Sequence, residues 1–239
     1  MPQLAEPSMR VRMGLGSEFP PPLPGAHRST FIDPSPAPSY LEQMKRVFDV
    51  AVVLAAAPFA LAVTAVMATG LAIELRGIPF FVQDRAGLDG RPFRMYKLRT
   101  MRHARHDERK LYVIEDWKTF VFSPPGAPDP RITRLGAFAR KTSFDELPNL
   151  VNVFLGQMSL VGPRPELPEI VAQYPPEYRR RHDVRPGIAG LAQVSGRSDL
   201  AYDAVMQYDL EYVDRQSMLL DLQLLWRTVV VVVTGSGAR

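Results

Sequence analysis

From Val50 to Ile73, 24 consecutive residues carry no charge, between Asp49 on one side and Glu74 on the other. As a straight helix the run spans about 36 Å, against roughly 30 Å of bilayer hydrocarbon. Soluble core helices rarely stay uncharged for so long, so the segment is expected in a membrane. Pro58 is the ninth residue of the run. It removes a backbone hydrogen bond and clashes with the preceding turn, which predicts a break or kink there. Lys45 and Arg46 precede the run, and Arg76, Arg85, Arg91 and Arg94 follow it. A single crossing leaves basic residues mainly on one side. Charge on both flanks therefore favours a re-entrant helix-break-helix over a crossing helix, with the backbone groups freed at Pro58 satisfied by protein or water.

The rest of the chain is soluble in composition. At 239 residues, 46% hydrophobic and 23% charged, the averages exclude collagen, a coiled coil and a many-span transporter, and they fit one domain with an appendage. With no cysteine there is no disulfide framework, thiolate metal site or cysteine nucleophile, which fits a reducing compartment. A net charge of +4 is too weak to argue for nucleic acid. Nine of the 23 prolines fall within residues 1–40, a stretch without periodicity. It reads as a disordered or polyproline-II tail, solvated rather than a ligand for proline-reading domains. No apolar region of signal-peptide length follows its basic residues. The expected division is a tail at 1–43, a membrane helix at 44–75 and a domain at 76–239. At the far end, Leu219–Trp226 and Val229–Val233 are too apolar for a free tail. They predict a core helix and strand, or an amphipathic element on a membrane surface.

Polar residues able to do chemistry concentrate in 140–165, RKTSFDELPNLVNVFLGQMSLVGPRP. Ser143 and Glu146 have capping-box spacing, which predicts a helix start at Ser143, with Pro148 free to shift it by a few residues. Asp145 and Glu146 would lie in that first turn. Adjacent carboxylates suit a divalent metal, although as a motif alone they need only cap a helix. Arg140 and Lys141 precede the pair. Arg164 stands between Pro163 and Pro165, whose restricted backbones suit a fixed guanidinium receiving a phosphate. The run Arg185–Arg197, RPGIAGLAQVSGR, combines three glycines with two arginines, giving close backbone approach beside bidentate phosphate donors. Upstream, Arg94, Lys97 and Arg99 recur in FRMYKLRTM with the near-alternation of a strand. Together with a membrane segment, these groups point to a pyrophosphate substrate at a bilayer surface.

At these residues the sequence resembles the bacterial sugar transferases, the monotopic polyprenyl-phosphate phosphoglycosyl transferases. The match covers about residues 44–239 through KRVFD, FVQDRAGLDGRPFRMYKLRTM, DPRITRLGAFARKTSFDELPNLVNVFLGQMSLVGPRP, RPGIAGLAQVSGR and YDLEYVDRQSMLLDLQLL. The resemblance implies an α/β, predominantly helical fold. A re-entrant helix broken at Pro58 would join a membrane-docked catalytic domain with amphipathic interfacial helices. It implies Mg²⁺-dependent transfer of a sugar-1-phosphate from a UDP-sugar to undecaprenyl phosphate, releasing UMP, as the first step of exopolysaccharide or glycan assembly. The expected place is the cytoplasmic face of the bacterial inner membrane. On this chain Asp145 would be the nucleophile and a Mg²⁺ contact, with Glu146 its acid/base and metal-supporting neighbour. Arg140, Arg164 and Arg197 match phosphate-organising positions, and Lys97, Arg99, Arg185 and Gln193 are expected among the substrate-binding residues.

Leu191 and Ser195 stand where many relatives carry Trp and Asn, so the sugar cannot be copied from them. His103 and His106 could ligate a metal, but no carboxylate pattern completes a site and a surface loop is expected. Larger relatives have four spans and an extra domain, so this chain is expected to be the catalytic core alone. Two other classes compete: a non-catalytic membrane scaffold binding acidic lipid, and a soluble-type glycosyltransferase with an Asp-x-Asp metal motif. The scaffold gives no reason for the Asp145–Glu146 pair, and no Asp-x-Asp occurs.

Overall fold

The computed structural model describes residues 40–102, 114–121, 129–196 and 200–234. Helix α1, Tyr40–Leu75, takes up the whole uncharged run and continues through an exposed Pro58, so the helix is not interrupted where a break was expected. It begins at Tyr40 rather than at residue 44. It is long and apolar enough to cross a membrane, and Leu54, Phe59, Leu61 and Val66 in its middle are exposed.

Both ends of α1 are tied to the rest of the chain. Near its start, Arg46 donates to the carbonyls of Val153 and Phe154, and the Asp49 carboxylate accepts from the N–H of Leu160 at 3.2 Å. Near its end, Glu74 accepts from the N–H groups of Arg134 and Leu135 at 2.9 and 3.1 Å, satisfying two donors at the start of α2, Arg134–Thr142. Val53 packs in one apolar cluster with Phe93, Met95, Val153 and Leu160. Met67, Ala68 and Leu71 pack in another with Leu98 and Ala139. Three of the six flanking cations, Lys45, Arg46 and Arg85, are thus committed to protein. Lys45 is buried against Asp221 and Tyr212, and Arg85 reaches Glu166. The positive flanks read from the sequence are therefore partly a set of tertiary contacts.

Strands β1, Phe80–Ala86, and β2, Pro92–Leu98, form an antiparallel hairpin. On β2 the alternation puts Phe93 and Met95 in the core, with Lys97 next on the same face. A 3₁₀ turn at Phe144–Glu146 separates α2 from α3, Asn149–Phe154. Strands β3, Ser159–Val161, and β4, Gly187–Ala189, pair in parallel. A Cβ on Gly187 would stand 2.0 Å from the Gly162 nitrogen, so only glycine lets the two segments meet so closely. Short helices α4, Pro168–Val171, and α5, Leu191–Ser195, precede α6, Tyr202–Arg215, and α7, Met218–Thr234. The expected terminal strand is absent among the described residues, because Val229–Val233 continue α7. Helix α7 hides Asp221 and Leu224 and exposes Leu219, Leu222, Trp226, Val229 and Val230. That is the pattern of an amphipathic element whose apolar stripe faces outward.

Candidate active site

The predicted capping box does not form. Ser143 adopts a left-handed conformation (φ 59°), closes α2 and gives no side-chain cap. Such a conformation is uncommon for a residue with a Cβ. Helix α3 starts only at Asn149, after Pro148; proline lacks an N–H and suits the entry of a helix. Asp145 and Glu146 consequently sit in the 3₁₀ turn between two helices rather than in the first turn of one.

Three cations converge on that turn from separate elements. Lys97 Nζ at the end of β2 donates to Glu146 Oε1 at 2.9 Å, and Arg164 Nη2 donates to the same oxygen at 2.8 Å. The Lys97 side chain is largely buried and Arg164 is half exposed. Arg140, in the last turn of α2, donates from Nε to Thr100 Oγ1 at 2.9 Å. Burial resists ionisation of Glu146, yet Arg164 and Lys97 hold its carboxyl well below the ordinary range. Asp145 differs. Among the described residues no hydrogen bond or ion pair holds its carboxylate. Burial, reinforced by the neighbouring Glu146 charge, pushes it up to about 6 against the pull of Lys97, Arg164 and Arg140. Two adjacent carboxylates thus have opposite conditions: one fixed as an anion, one open and reluctant to ionise.

Asp145, Glu146, Lys97, Arg164 and Arg140 are therefore brought together. Arg185, Gln193 and Arg99 make contacts elsewhere. Arg185 donates from Nε to the Gly156 carbonyl at 3.0 Å and lines a polar depression with Glu42, Lys45 and Arg46. Gln193 donates from Nε2 to the Ile188 carbonyl at 3.3 Å, bracing the turn between β4 and α5. Arg99 lies beyond β2 near Gly77. Arg197, His103 and His106 lie outside the described residues.

Sequence reasoning missed Asn152 as a support. Its Oδ1 accepts from the Tyr96 N–H and its Nδ2 donates to the Arg94 carbonyl, fastening α3 to the strand that carries Lys97. A buried asparagine has no pattern of its own in a sequence. The same holds for Arg181, buried against Asp209, within a basic run where Arg179 and Arg180 are exposed.

No group of three or more metal-ligating side chains occurs among the described residues. A carboxylate pair with one member unpartnered still suits Mg²⁺, which usually takes one or two carboxylates and fills its shell with water and substrate phosphate.

Residues 40–235 match the family model described as bacterial sugar transferase. The chain is 41% identical over 200 residues to the uncharacterised sugar transferase EpsL of Bacillus subtilis (strain 168), covering 82% of this chain and 90% of EpsL. It is 40% identical to a UDP-glucose:undecaprenyl-phosphate glucose-1-phosphate transferase of Caulobacter vibrioides, over 81% of this chain and 71% of that protein. A protein of the same name from Xanthomonas campestris pv. campestris is 40% identical over 69% of this chain, which spans only 33% of its length.

Proposed function

Because the chain belongs to the bacterial sugar transferase family, we propose that it transfers a sugar-1-phosphate from a UDP-sugar to undecaprenyl phosphate, releasing UMP. The observation that carries this reading is the unpartnered Asp145 carboxylate beside a Glu146 locked by Lys97 and Arg164. A nucleophile must be free to approach phosphorus, and its neighbours must offset the charge of an anionic substrate.

In the first half-reaction an Asp145 oxygen bonds to the sugar-linked phosphorus. The bond from that phosphorus to the bridging oxygen breaks, and UMP leaves with the electron pair. In the second, a phosphate oxygen of undecaprenyl phosphate attacks the same phosphorus and Asp145 is released. Only one bulky anion need occupy the site at a time. Arg164, half exposed, can turn a guanidinium face to the donor phosphate while keeping Glu146, and Arg140 adds charge from α2. The two cations on Glu146 favour a part in ordering Lys97 and Arg164 over a part in carrying protons. Asp145, supported by Glu146, would hold Mg²⁺, which when bound offsets charge on the pyrophosphate.

The acceptor is a membrane lipid, so the site must lie at headgroup depth. A helix that crosses puts its ends on opposite faces of the bilayer. Here one domain grips both ends of α1, through Arg46 and Asp49 at one and Glu74 at the other. That supports both ends of α1 lying on one face of the bilayer, as a re-entrant path requires, and the donor chemistry suits a domain on the cytoplasmic face of the inner membrane, where nucleotide sugars are made. The outward apolar stripe of α7 suits the same surface.

The test incubates the full chain in nanodiscs with Mg²⁺, undecaprenyl phosphate and a panel of radiolabelled UDP-sugars. UMP release is expected with at least one donor, and donor alone is expected to leave a phosphosugar adduct visible by intact mass. Undiminished release by Asp145→Asn would overturn the nucleophile, and silence across the panel would overturn the activity. Cysteines at Tyr40 and Arg91 should label from the same side of sealed vesicles; opposite sides would mean that α1 crosses.

A further inference from the structure

The arginine that meets Glu146 is carried by Gly162–Pro163–Arg164–Pro165–Glu166, a segment with two prolines and so few N–H donors. Apart from the Gly162 N–H, which donates to the Ala189 carbonyl at 2.8 Å, its position is set through its carbonyls, and four consecutive ones are taken. The Pro163 carbonyl accepts from the Gly187 N–H at 2.9 Å. That of Arg164 accepts from Arg181 Nη2 at 2.8 Å, and that of Pro165 from Arg85 Nη1 at 3.2 Å. The Glu166 carbonyl accepts from the Ala86 N–H at 2.9 Å.

Two of these four donors are arginine side chains with fixed surroundings. Arg181 Nη2 also donates to Asp209 Oδ2 at 2.6 Å, and Nη1 reaches the hydroxyls of Tyr174 and Tyr202 at 2.5 and 3.4 Å. The Tyr202 hydroxyl donates onward to Glu166 Oε2 at 3.0 Å. Arg85 is anchored by Gln83 at 2.7 Å and pairs with Glu166. The Arg181 and Asp209 side chains are 2% and 1% exposed. A buried ion pair is a poor way to gain stability, because desolvation cancels much of its attraction. A planar fork that holds one backbone oxygen in place is a good way to gain position.

We propose that Arg181 and Arg85 are positioning residues of the reaction, setting the Arg164 guanidinium over Glu146 through the carbonyls of Arg164 and Pro165. Among the described residues neither arginine bonds to Asp145 or Glu146, so both act through Arg164. The inference rests on Arg164 serving the donor phosphate, as in the function proposed above.

The test is a double-mutant cycle on the full chain in nanodiscs. Arg85→Gln and Arg181→Lys are made alone and in an Arg164→Ala background, and the rate of phosphosugar adduct formation is measured. Each single variant is expected to slow it about tenfold, since a small misplacement of a charge-offsetting group costs one to two decades. Arg85→Lys should recover most of the rate. With Arg164 absent, neither change should slow the reaction further; an equal loss in that background overturns the proposal. Hydrogen exchange at the amides of Gly187 and Ala86, which donate to the Pro163 and Glu166 carbonyls at the two ends of the segment, gives a readout independent of activity. Faster exchange in both variants is expected, and unchanged exchange overturns the proposal. If the unaltered chain forms no adduct with any UDP-sugar, the proposed function has failed while the exchange measurement still decides the positioning.

Discussion

Two arginine–carboxylate assemblies meet at the loop carrying Arg164, and they are built to different ends. Outside, the Arg164 side chain pairs with Glu146 while half exposed, and Asp145 stands beside them unpartnered. Inside, Arg181 pairs with Asp209 in near-complete burial, and both of its Nη groups donate to protein oxygens while its Nε is buried without a partner. The inner assembly is largely closed, and the outer one keeps capacity in reserve. The same two chemical groups brace the fold where the Nη donors are taken up and leave a carboxylate accessible where one member is left open.

Asp145→Asn should have the largest effect, lowering UMP release about 10³-fold or more, because it removes the open member itself. Circular dichroism should show an intact fold. Asp209→Ala tests the closed member and should leave Arg181 buried without its counter-charge, costing about 3–5 kcal/mol in denaturant melts. A loss under 1 kcal/mol would mean the inner pair is dispensable. Glu146→Gln should slow adduct formation about 10²-fold by freeing Lys97 and Arg164 from their shared oxygen.

Asp145 and His182, a neighbour of the inner pair, should also titrate with opposite signs, whereas burial raises Asp209 itself to about 6, in the same direction as Asp145. Asp145, raised to about 6 from the ordinary 3.8, favours the folded chain while protonated. That contribution is whole below 3.8 and lost as pH rises through about 6. His182 stacks on Tyr174 beside the inner pair, and burial with Arg181 nearby lowers it to about 4 from 6.5. Its contribution is whole above 6.5 and lost as pH falls through about 4. In metal-free buffer, Asp145→Asn should gain in Tm over the unaltered chain as pH rises from 5 to 7. His182→Asn should gain as pH falls from 6 to 4. Gains in the same direction would dissolve the contrast. The smallest effect belongs to the exposed Arg180–Asp214 pair, where Asp214→Asn should stay within about 0.5 kcal/mol.

The sequence made some of this legible. An uncharged run needs only counting, so α1 was readable to within a few residues at its start. Asp145, Glu146 and Arg164 were readable because adjacent carboxylates and a proline-flanked arginine are local patterns. The turn holding the carboxylates was misread. Capping-box spacing at Ser143 describes a helix start, but the left-handed Ser143 ends α2, and Pro148 delays α3 to Asn149. The Val229–Val233 run has strand propensity, yet continuation of α7 prevails over it. Arg181 and Arg85 were invisible as supports because their partners lie 28 and 81 residues away, at Asp209 and Glu166. Arg185 is the converse case: its glycine-rich surroundings suggest phosphate, and the contact its Nε makes in the fold is with the distant Gly156 carbonyl.

The buried contact between Lys45 and Asp221 joins residues 176 positions apart in the chain. Synthesis at about 5–20 residues per second leaves Lys45 waiting roughly 9 to 35 s for its counter-charge after it is made. Until α7 arrives, the Lys45 ammonium lacks the Asp221 carboxylate that it meets in the folded chain. Completion of α7 therefore closes the buried pair at the root of α1 after the partners of Arg46, Asp49 and Glu74 in residues 134–160 have been made. Ribosome-stalled chains ending before Met218 should expose the start of α1 to protease, and chains extended past Thr234 should protect it.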